Sequence, residues 1–256
     1  MAPAAGNDSQ AELLYGLHAI REALRAGTRP LQRLLVQRTD RQFAEIIQQA
    51  KARRIPVHIE PPAAFDRLVP SGKHQGVIAF VAAKPYSSTE DILEQARRRG
   101  EPPFLVILDG VEDPHNLGAV LRTAEAAGVH GVFIPERRAA GLTSVVAKVS
   151  AGALDHMLVS RVGNISRLIE DLKEAGIWVF GLDPSASAYF TGIDMTGPIA
   201  LVLGGEGEGI RPGVLKGCDG RVSIPMKGKV GSLNVSAAAA VTLFEAVRQR
   251  SAKRQT

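Results

Sequence analysis

FLVILDGVEDPHNLGAVLRTAEAAGVHGVFI, residues 104–134, reads as a strand, a helix and a second strand. FLVILDG (104–110) is an unbroken apolar run, as expected of a strand buried on both faces. NLGAVLRTAEAAG (116–128) is made of good helix formers and stops at Gly128, and GVFI (131–134) is apolar again. Strand, covering helix, strand is the unit of a parallel sheet. The alternation continues downstream: SVVAKVSAGAL (144–154) and ISRLIEDLKEAG (165–176) read as helices, and HMLVSRV (156–162) and IWVFGLD (177–183) as strands. PIALVLGGEGEGI (198–210) is a strand entering a glycine-rich loop, and GRVSIPM (220–226) is the last strand. KGKVGSLNVSAAAAVTLFEAVRQR (227–250) then couples a flexible polar lead to a helix from Ser236, rich in small residues that allow close backbone approach.

Upstream, ELLYGLHAIREALRAG (12–27) reads as a helix ending at Gly27, LQRLLVQ (31–37) as a strand and DRQFAEIIQQAKARR (40–54) as a helix capped by Asp40. IPVHIE (55–60) and HQGVIAFVA (74–82) are further strands. These boundaries predict a small α/β domain over residues 11–84, a linker with a short helix over 85–103, and the parallel-sheet domain over 104–252. The first ten residues, MAPAAGNDSQ, lack the basic start and apolar core of a signal peptide and are expected as a short disordered lead.

Composition narrows the class. Of the 256 residues, 45% are hydrophobic and only 5% aromatic, so the cores must rest on Val, Leu, Ile and Ala. No run approaches the roughly 18 apolar residues of a membrane span. Cys218 is the only cysteine, which excludes an internal disulfide framework and fits a cytoplasmic protein. The net charge of +5 sits entirely in residues 1–84, where 12 Lys and Arg face 7 Asp and Glu. A basic module joined to a neutral one suits a polyanion such as RNA, although a solvated arginine-rich surface has the same composition.

Three loops after predicted strands carry more polar and glycine content than strand ends need: DGVEDPHNLGAVLR (109–122), LGGEGEGI (203–210) and IPMKGKVGSLNVS (224–236). In open parallel sheets such loops line the ligand crevice. The glycine-rich loop is not a phosphate cradle, because Ile210 stands where a G-x-G-x-x-G run needs its last glycine, and Glu206 and Glu208 would repel phosphate. Individually, Asn116 also reads as a helix cap, Asn234 as a cap or turn residue and Glu206 as an exposed loop charge.

Together, in this order, the loops resemble the three motifs of the SpoU (TrmH) family of RNA ribose 2′-O-methyltransferases. The first resembles Asn116 with Arg122, the second LVLGGEGEGI with Glu206, and the third IPMKGKVGSLNVSAAAA with Ser232 and Asn234. YGLHAIREAL and HQGVIAFV resemble the N-terminal module of the ribosomal-RNA branch, which is similar in fold to small RNA-binding ribosomal proteins. The resemblance implies a deep trefoil knot of the SPOUT class, an S-adenosylmethionine cofactor, a homodimer and no metal. It places Arg122 at the ribose hydroxyl, as proton acceptor or as electrostatic stabiliser of the alkoxide, with Asn116 and Glu206 accepting bonds from its guanidinium. Ser232 and Asn234 would fix the loop and the RNA backbone. Cofactor contacts would come from Gly204, Ile224 and Leu233, with Leu182, Gly205 and Met226 beside them. RNA phosphates would meet Arg21, Arg25, Lys51, Arg53, Arg54, Arg137 and Arg138. The implied acceptor is a guanosine of 23S rRNA; a tRNA methyltransferase of the same family, a non-catalytic ribosome-associated RNA-binding protein and a nucleotide-dependent oxidoreductase are the alternatives.

Overall fold

The computed structural model describes residues 11–70 and 72–253, so the expected lead over 1–10 lies outside the described residues. The chain divides into two units: one takes the chain up to Pro85 together with Leu142–His156, the other Tyr86–Gly141 together with Met157 onward.

The first unit opens with β1 (Ala11–Tyr15), α1 (Leu17–Ala26), β2 (Leu31–Val36), α2 (Arg41–Ala52), β3 (Val57–Ile59), α3 (Pro62–Leu68) and β4 (Val77–Ala82). Its sheet runs β1-β4-β2-β3, with β4 antiparallel to both neighbours and β3 parallel to β2. The residues ELLY, expected as helix, form most of β1. Gly16 turns the chain at φ 96°, and the residues before it gain a full ladder against β4, from Ala11↔Ala82 to Tyr15↔Ile78. Helix α3 was not legible as an element; it starts on Pro62 and is anchored by Phe65, which is fully buried. Asp40 caps α2 as expected, accepting a bond from Gln42 N.

The second unit contains α4 (Thr89–Arg99), β5 (Phe104–Asp109), α5 (Pro114–Ala126) and β6 (Gly131–Pro135). After α6 (Ser144–Val149) and α7 (Ala153–His156), which group with the first unit, it resumes with β7 (Val159–Val162), α8 (Ile165–Glu174) and β8 (Trp178–Leu182). It ends with β9 (Ile199–Gly204), α9 (Pro212–Gly217), β10 (Gly220–Val222) and α10 (Val235–Lys253). The sheet order is β10-β8-β9-β5-β6-β7 and every neighbouring pair is parallel. The chain leaves the centre at β5, steps outward to β7, then crosses to β8 and returns inward to β9. That reversal lies between β5 and β9, where ligand crevices of parallel sheets open. Leu105, Ile107, Phe133, Ile169, Val179 and Val202 are among the buried side chains of the core. Among the described residues no helix is long and apolar enough to cross a membrane.

Two boundaries differ from the expected ones. Residues 85–103 are more than a linker: α4, closed at its start by a reciprocal Ser88–Asp91 capping box, buries Ile92 and Ala96 in the sheet unit. Gly131 leaves the space Ile92 fills, since a Cβ there would fall 2.5 Å from it. The helix expected over 144–154 breaks into α6 and α7, because Ala151 (φ 51°) and Gly152 (φ 91°) leave helical geometry. A Cβ on Gly152 would fall 2.3 Å from Glu22 Cβ, so only glycine fits the seat against α1. Beside it, Asp155 meets Arg29 Nε at 2.8 Å, both side chains being essentially inaccessible, while Lys84 Nζ donates to the Asp155 carbonyl at 3.2 Å. Burial pulls the Lys84 ammonium below its usual range, against the opposing pull of Asp155. Asp155→Ala leaves the buried Arg29 charge with Glu12, 3.8 Å away, as its remaining acidic partner among the described residues. The expected cost is about 3 kcal/mol of stability by chemical denaturation, the lower end for a broken buried pair.

Candidate active site

The polar residues of the three loops meet at the carboxyl ends of β5 and β9. Asp113 caps α5 by accepting from His115 N at 2.9 Å, which corrects the reading of Asn116 as the cap. Asn116 lies inside the helix and donates from Nδ2 to Glu206 Oε1 at 2.8 Å. Asn234 donates from its own Nδ2 to the same oxygen at 2.9 Å and to Asn116 Oδ1 at 3.0 Å. The three side chains close a triangle spanning 118 residues of chain. Asn234 also caps α10, its Oδ1 accepting from Ser236 N at 2.9 Å.

Two clefts meet at Glu206, which lines both together with Gly205, Glu208 and Gly209, while Asn234 lines the first and Asn116 the second. The first, of about 640 Å³, is lined by Leu182, Gly204, Gly205, Ile224, Met226 and Leu233, with Ser232 and Asn234 beside them. That volume suits a ligand of nucleoside size. Among the described residues its lining holds no Lys, Arg or His but three acids, Asp183, Glu206 and Glu208. Of these, Asp183 is paired with Arg221 at 3.4 Å and Glu208 with Arg138 at 3.5 Å. The second, of about 340 Å³, lies across Asn116 and Glu206 and is lined by Arg137, Arg138 and Arg211, together with acids of the same loops. Arg138 reaches Glu208 at 3.5 Å and Glu112 at 3.9 Å, and Arg211 meets Asp109 at 2.7 Å, so two of its three cations are already partly neutralised.

Arg122 does not join the triangle. It lies six positions past Asn116 on α5, about 240° around the axis at 100° per residue. Its side chain is exposed, and Asn116 and Glu206 bond each other and Asn234 instead of accepting from it. Of the other basic residues, Arg21 is paired with Glu45 at 2.9 Å and Arg25 with Glu22 and Glu45 at 2.9 and 3.1 Å. Lys51, Arg53 and Arg54 are exposed at the C-terminal end of α2. Burial and neighbouring Asp219 push the Cys218 thiol up to about 11, which leaves it a protonated, poorly nucleophilic packing residue.

Sequence reasoning gave no role to Asp109 and Arg211. The Asp109 carboxylate accepts from Arg211 N at 2.9 Å, Nε at 2.8 Å and Nη2 at 2.7 Å. The available signal was an acid closing an otherwise apolar strand, FLVILD. The glycines beside it are needed for closeness: a Cβ on Gly205 would fall 1.8 Å from the Gly110 carbonyl oxygen, and one on Gly204 2.0 Å from the Gly209 carbonyl carbon. Gly205→Ala must therefore displace backbone in both clefts, and cofactor binding by calorimetry is expected to vanish while the sheet still folds.

An all-parallel sheet whose strand ends carry two adjoining clefts of different lining suits an enzyme that brings two ligands together. The pattern of the SpoU rRNA Methylase family matches residues 103–244, and that of the RNA 2′-O ribose methyltransferase substrate-binding domain matches residues 13–87. The 23S rRNA (guanosine-2′-O-)-methyltransferase RlmB of Shewanella oneidensis is 41% identical, over 93% of this chain and 98% of its own length. The Bacillus subtilis TrmH-family protein YacO is 43% identical, over 94% of this chain and 97% of its own. Among solved structures, the SpoU methyltransferase AviRb of Streptomyces viridochromogenes, in complex with AdoMet, superposes with a TM-score of 0.80 at 28% identity, covering 94% of this chain and 91% of its own. The chain belongs to the SpoU family of RNA ribose 2′-O-methyltransferases.

Proposed function

We propose that this enzyme methylates the ribose 2′-hydroxyl of a guanosine in 23S rRNA, working as a cytoplasmic homodimer. S-adenosylmethionine is the methyl donor; bound, it supplies an activated methyl group on a sulfonium. The observation that carries the assignment of sides is that, among the described residues, arginines line the second cleft and no cation lines the first. Of the acids on the first cleft's lining, Asp183 and Glu208 are partly offset by Arg221 and Arg138, so Glu206 is the acid left to attract a sulfonium. Leu182, Leu203, Ile210, Ile224 and Leu233 offer apolar cover for an adenine. The arginine-bearing cleft suits the phosphates flanking an acceptor ribose.

The residues divide the work accordingly. Gly204 and Gly205 let the backbone close on the donor, and Ile224, Met226, Leu182 and Leu233 cover it. Ser232 and Asn234 hold the entry to α10 against it, and that entry threads the preceding loops as a trefoil knot. Asn116 and Asn234 hold Glu206 at the shared wall, where its Oε2 stays available to an incoming group. Arg122 meets the acceptor hydroxyl, and a second copy of the chain supplies it. Two features support that: the guanidinium is absent from its own triangle, and α10 exposes the apolar side chains Val241 and Phe244 along a face that can pack on a copy. The first unit selects the RNA, with Lys51, Arg53 and Arg54 as its free cations and Arg137 and Arg138 beside the acceptor.

Mapping 2′-O-methyl positions in total RNA from cells with and without the gene tests the proposal. Loss of one guanosine mark in 23S rRNA is the expected result. Loss of a tRNA mark would overturn the substrate, and no lost mark together with no binding of the donor would overturn the activity.

A further inference from the structure

Asp109 ends β5 as a buried charge, 1% exposed, yet it lies on neither the triangle nor the list of residues the motifs single out. Its bonds go to both ends of one loop. The main-chain oxygen accepts from Gly205 N at 2.7 Å, where the glycine-rich loop leaves β9. The carboxylate takes three bonds from Arg211, where the loop ends: Oδ2 from the backbone N, Oδ1 from Nε and Nη2. Between these feet Gly205 and Gly209 form an antiparallel bridge, which pinches the loop into a closed ring. Glu206, the hub of the triangle, sits on that ring, and the ring lines both clefts.

The loop needs such a clamp. Gly205, Gly207 and Gly209 make up half of residues 205–210, and Gly207 and Gly209 hold φ values of 90° and 65°. Glycine backbone is the most costly to order, so the loop's shape must come from contacts rather than from its own stiffness. The strands beneath do not depend on the clamp, since β5 and β9 pair through six backbone positions from Phe104↔Ile199 to Asp109↔Gly204. Arg211 is 43% exposed, so losing its acid would leave it in water rather than stranded in the core.

We propose that Asp109 and Arg211 are positioning residues of the methyl transfer, clamping the feet of the 205–210 loop so that Glu206 stands at the wall between donor and acceptor. The inference rests on the reading of Glu206 as part of the reaction site. Asp109 touches neither substrate; it acts through Glu206.

The test is a cycle of Asp109→Asn, Glu206→Ala and the double variant, assayed as kcat on the rRNA substrate with melting temperature recorded for each. Asparagine keeps the size and one acceptor of Asp109 but not the charge that holds the guanidinium. Asp109→Asn alone is expected to lower kcat roughly 100-fold, as small misplacements of a site group do. In the Glu206→Ala background the same change is expected to cost less than about twofold, because the group it positions is gone. A purely structural residue gives losses that multiply, and that result would overturn the proposal, as would Asp109→Asn with kcat within about twofold of the parent. Arg211→Lys, which keeps the charge but not the fork, provides the second arm should Asp109→Asn fold poorly: it is expected to lower kcat in the parent and not in the Glu206→Ala background. If Glu206→Ala itself turns over normally, the reading of the site fails rather than the clamp.

Discussion

Arg122→Lys is expected to lower single-turnover methylation by about 100-fold or more, with folding and donor binding unchanged. A lysine keeps the charge but loses the planar fork, and its lower pKa changes what it can do for a proton. Near-normal turnover would remove Arg122 from the reaction. The structure adds a sharper form of the test, because Arg122 lies a third of a helical circumference away from Asn116 and outside its triangle. If a second copy delivers it, Arg122→Ala and Asn234→Ala should each be inactive alone yet complement one another. Random assortment of a two-fold dimer gives half mixed dimers, each with one intact site, hence about a quarter of parent activity. Should Arg122 serve its own chain, every site in the mixture carries one lesion and no activity returns. Size-exclusion chromatography of each variant beforehand ensures that the outcome reports on the site rather than on assembly.

How much of this was legible in the sequence depends on the range over which each feature is decided. The strand–helix alternation from Phe104 onward is local, so periodicity and end signals located β5, α5, β6, α8, β8 and β9 to within a few residues. ELLY was misread because four residues carry too little pattern to separate helix from strand; the deciding partner, β4, lies more than sixty positions away. The 85–103 segment reads as a tether because its helix has only a narrow apolar stripe, Ile92 and Ala96, and the seat of Ile92 is a gap left by Gly131. The meeting of Asn116, Glu206 and Asn234 could not be derived from spacing, since they lie 28 to 118 positions apart; only resemblance brought them together. The expected bond from Arg122 to Asn116 is opposed by six positions of separation, about 240° around α5, and Glu206 is occupied by Asn116 and Asn234 instead. Asp109 escaped notice for a different reason: its partner, Arg211, lies 102 positions away, and nothing local to either residue signals the pair.

Glu206→Ala is expected to lower kcat by roughly two to three orders of magnitude, comparable to removing a catalytic hydrogen-bonding group. The argument begins with what the carboxylate holds. One oxygen, Oε1, accepts from Asn116 Nδ2 and from Asn234 Nδ2, so truncation leaves two amide donors without their shared acceptor, and Asn116 is a buried residue. The bond from Asn234 to Asn116 still ties the third loop to the first, and the Asp109 bonds to Gly205 and Arg211 still tie the second loop to the first. What is lost is the link at residue 206 between the second loop and the other two. Asn234 still caps α10, so the helix should survive while the 231–234 entry segment, which lines the donor cleft, loosens. Charge makes a second contribution that can be read separately. Glu206 is one of three acids on the donor wall, and the donor carries a sulfonium that its demethylated product lacks. Glu206→Gln, which keeps the acceptor oxygen and removes the charge, should therefore weaken binding of S-adenosylmethionine more than binding of S-adenosylhomocysteine. Titration calorimetry with both ligands decides it. Equal losses for the two would mean that Glu206 acts on the loops alone and contributes nothing to recognising the positive centre, whereas a larger loss for the donor assigns it both roles.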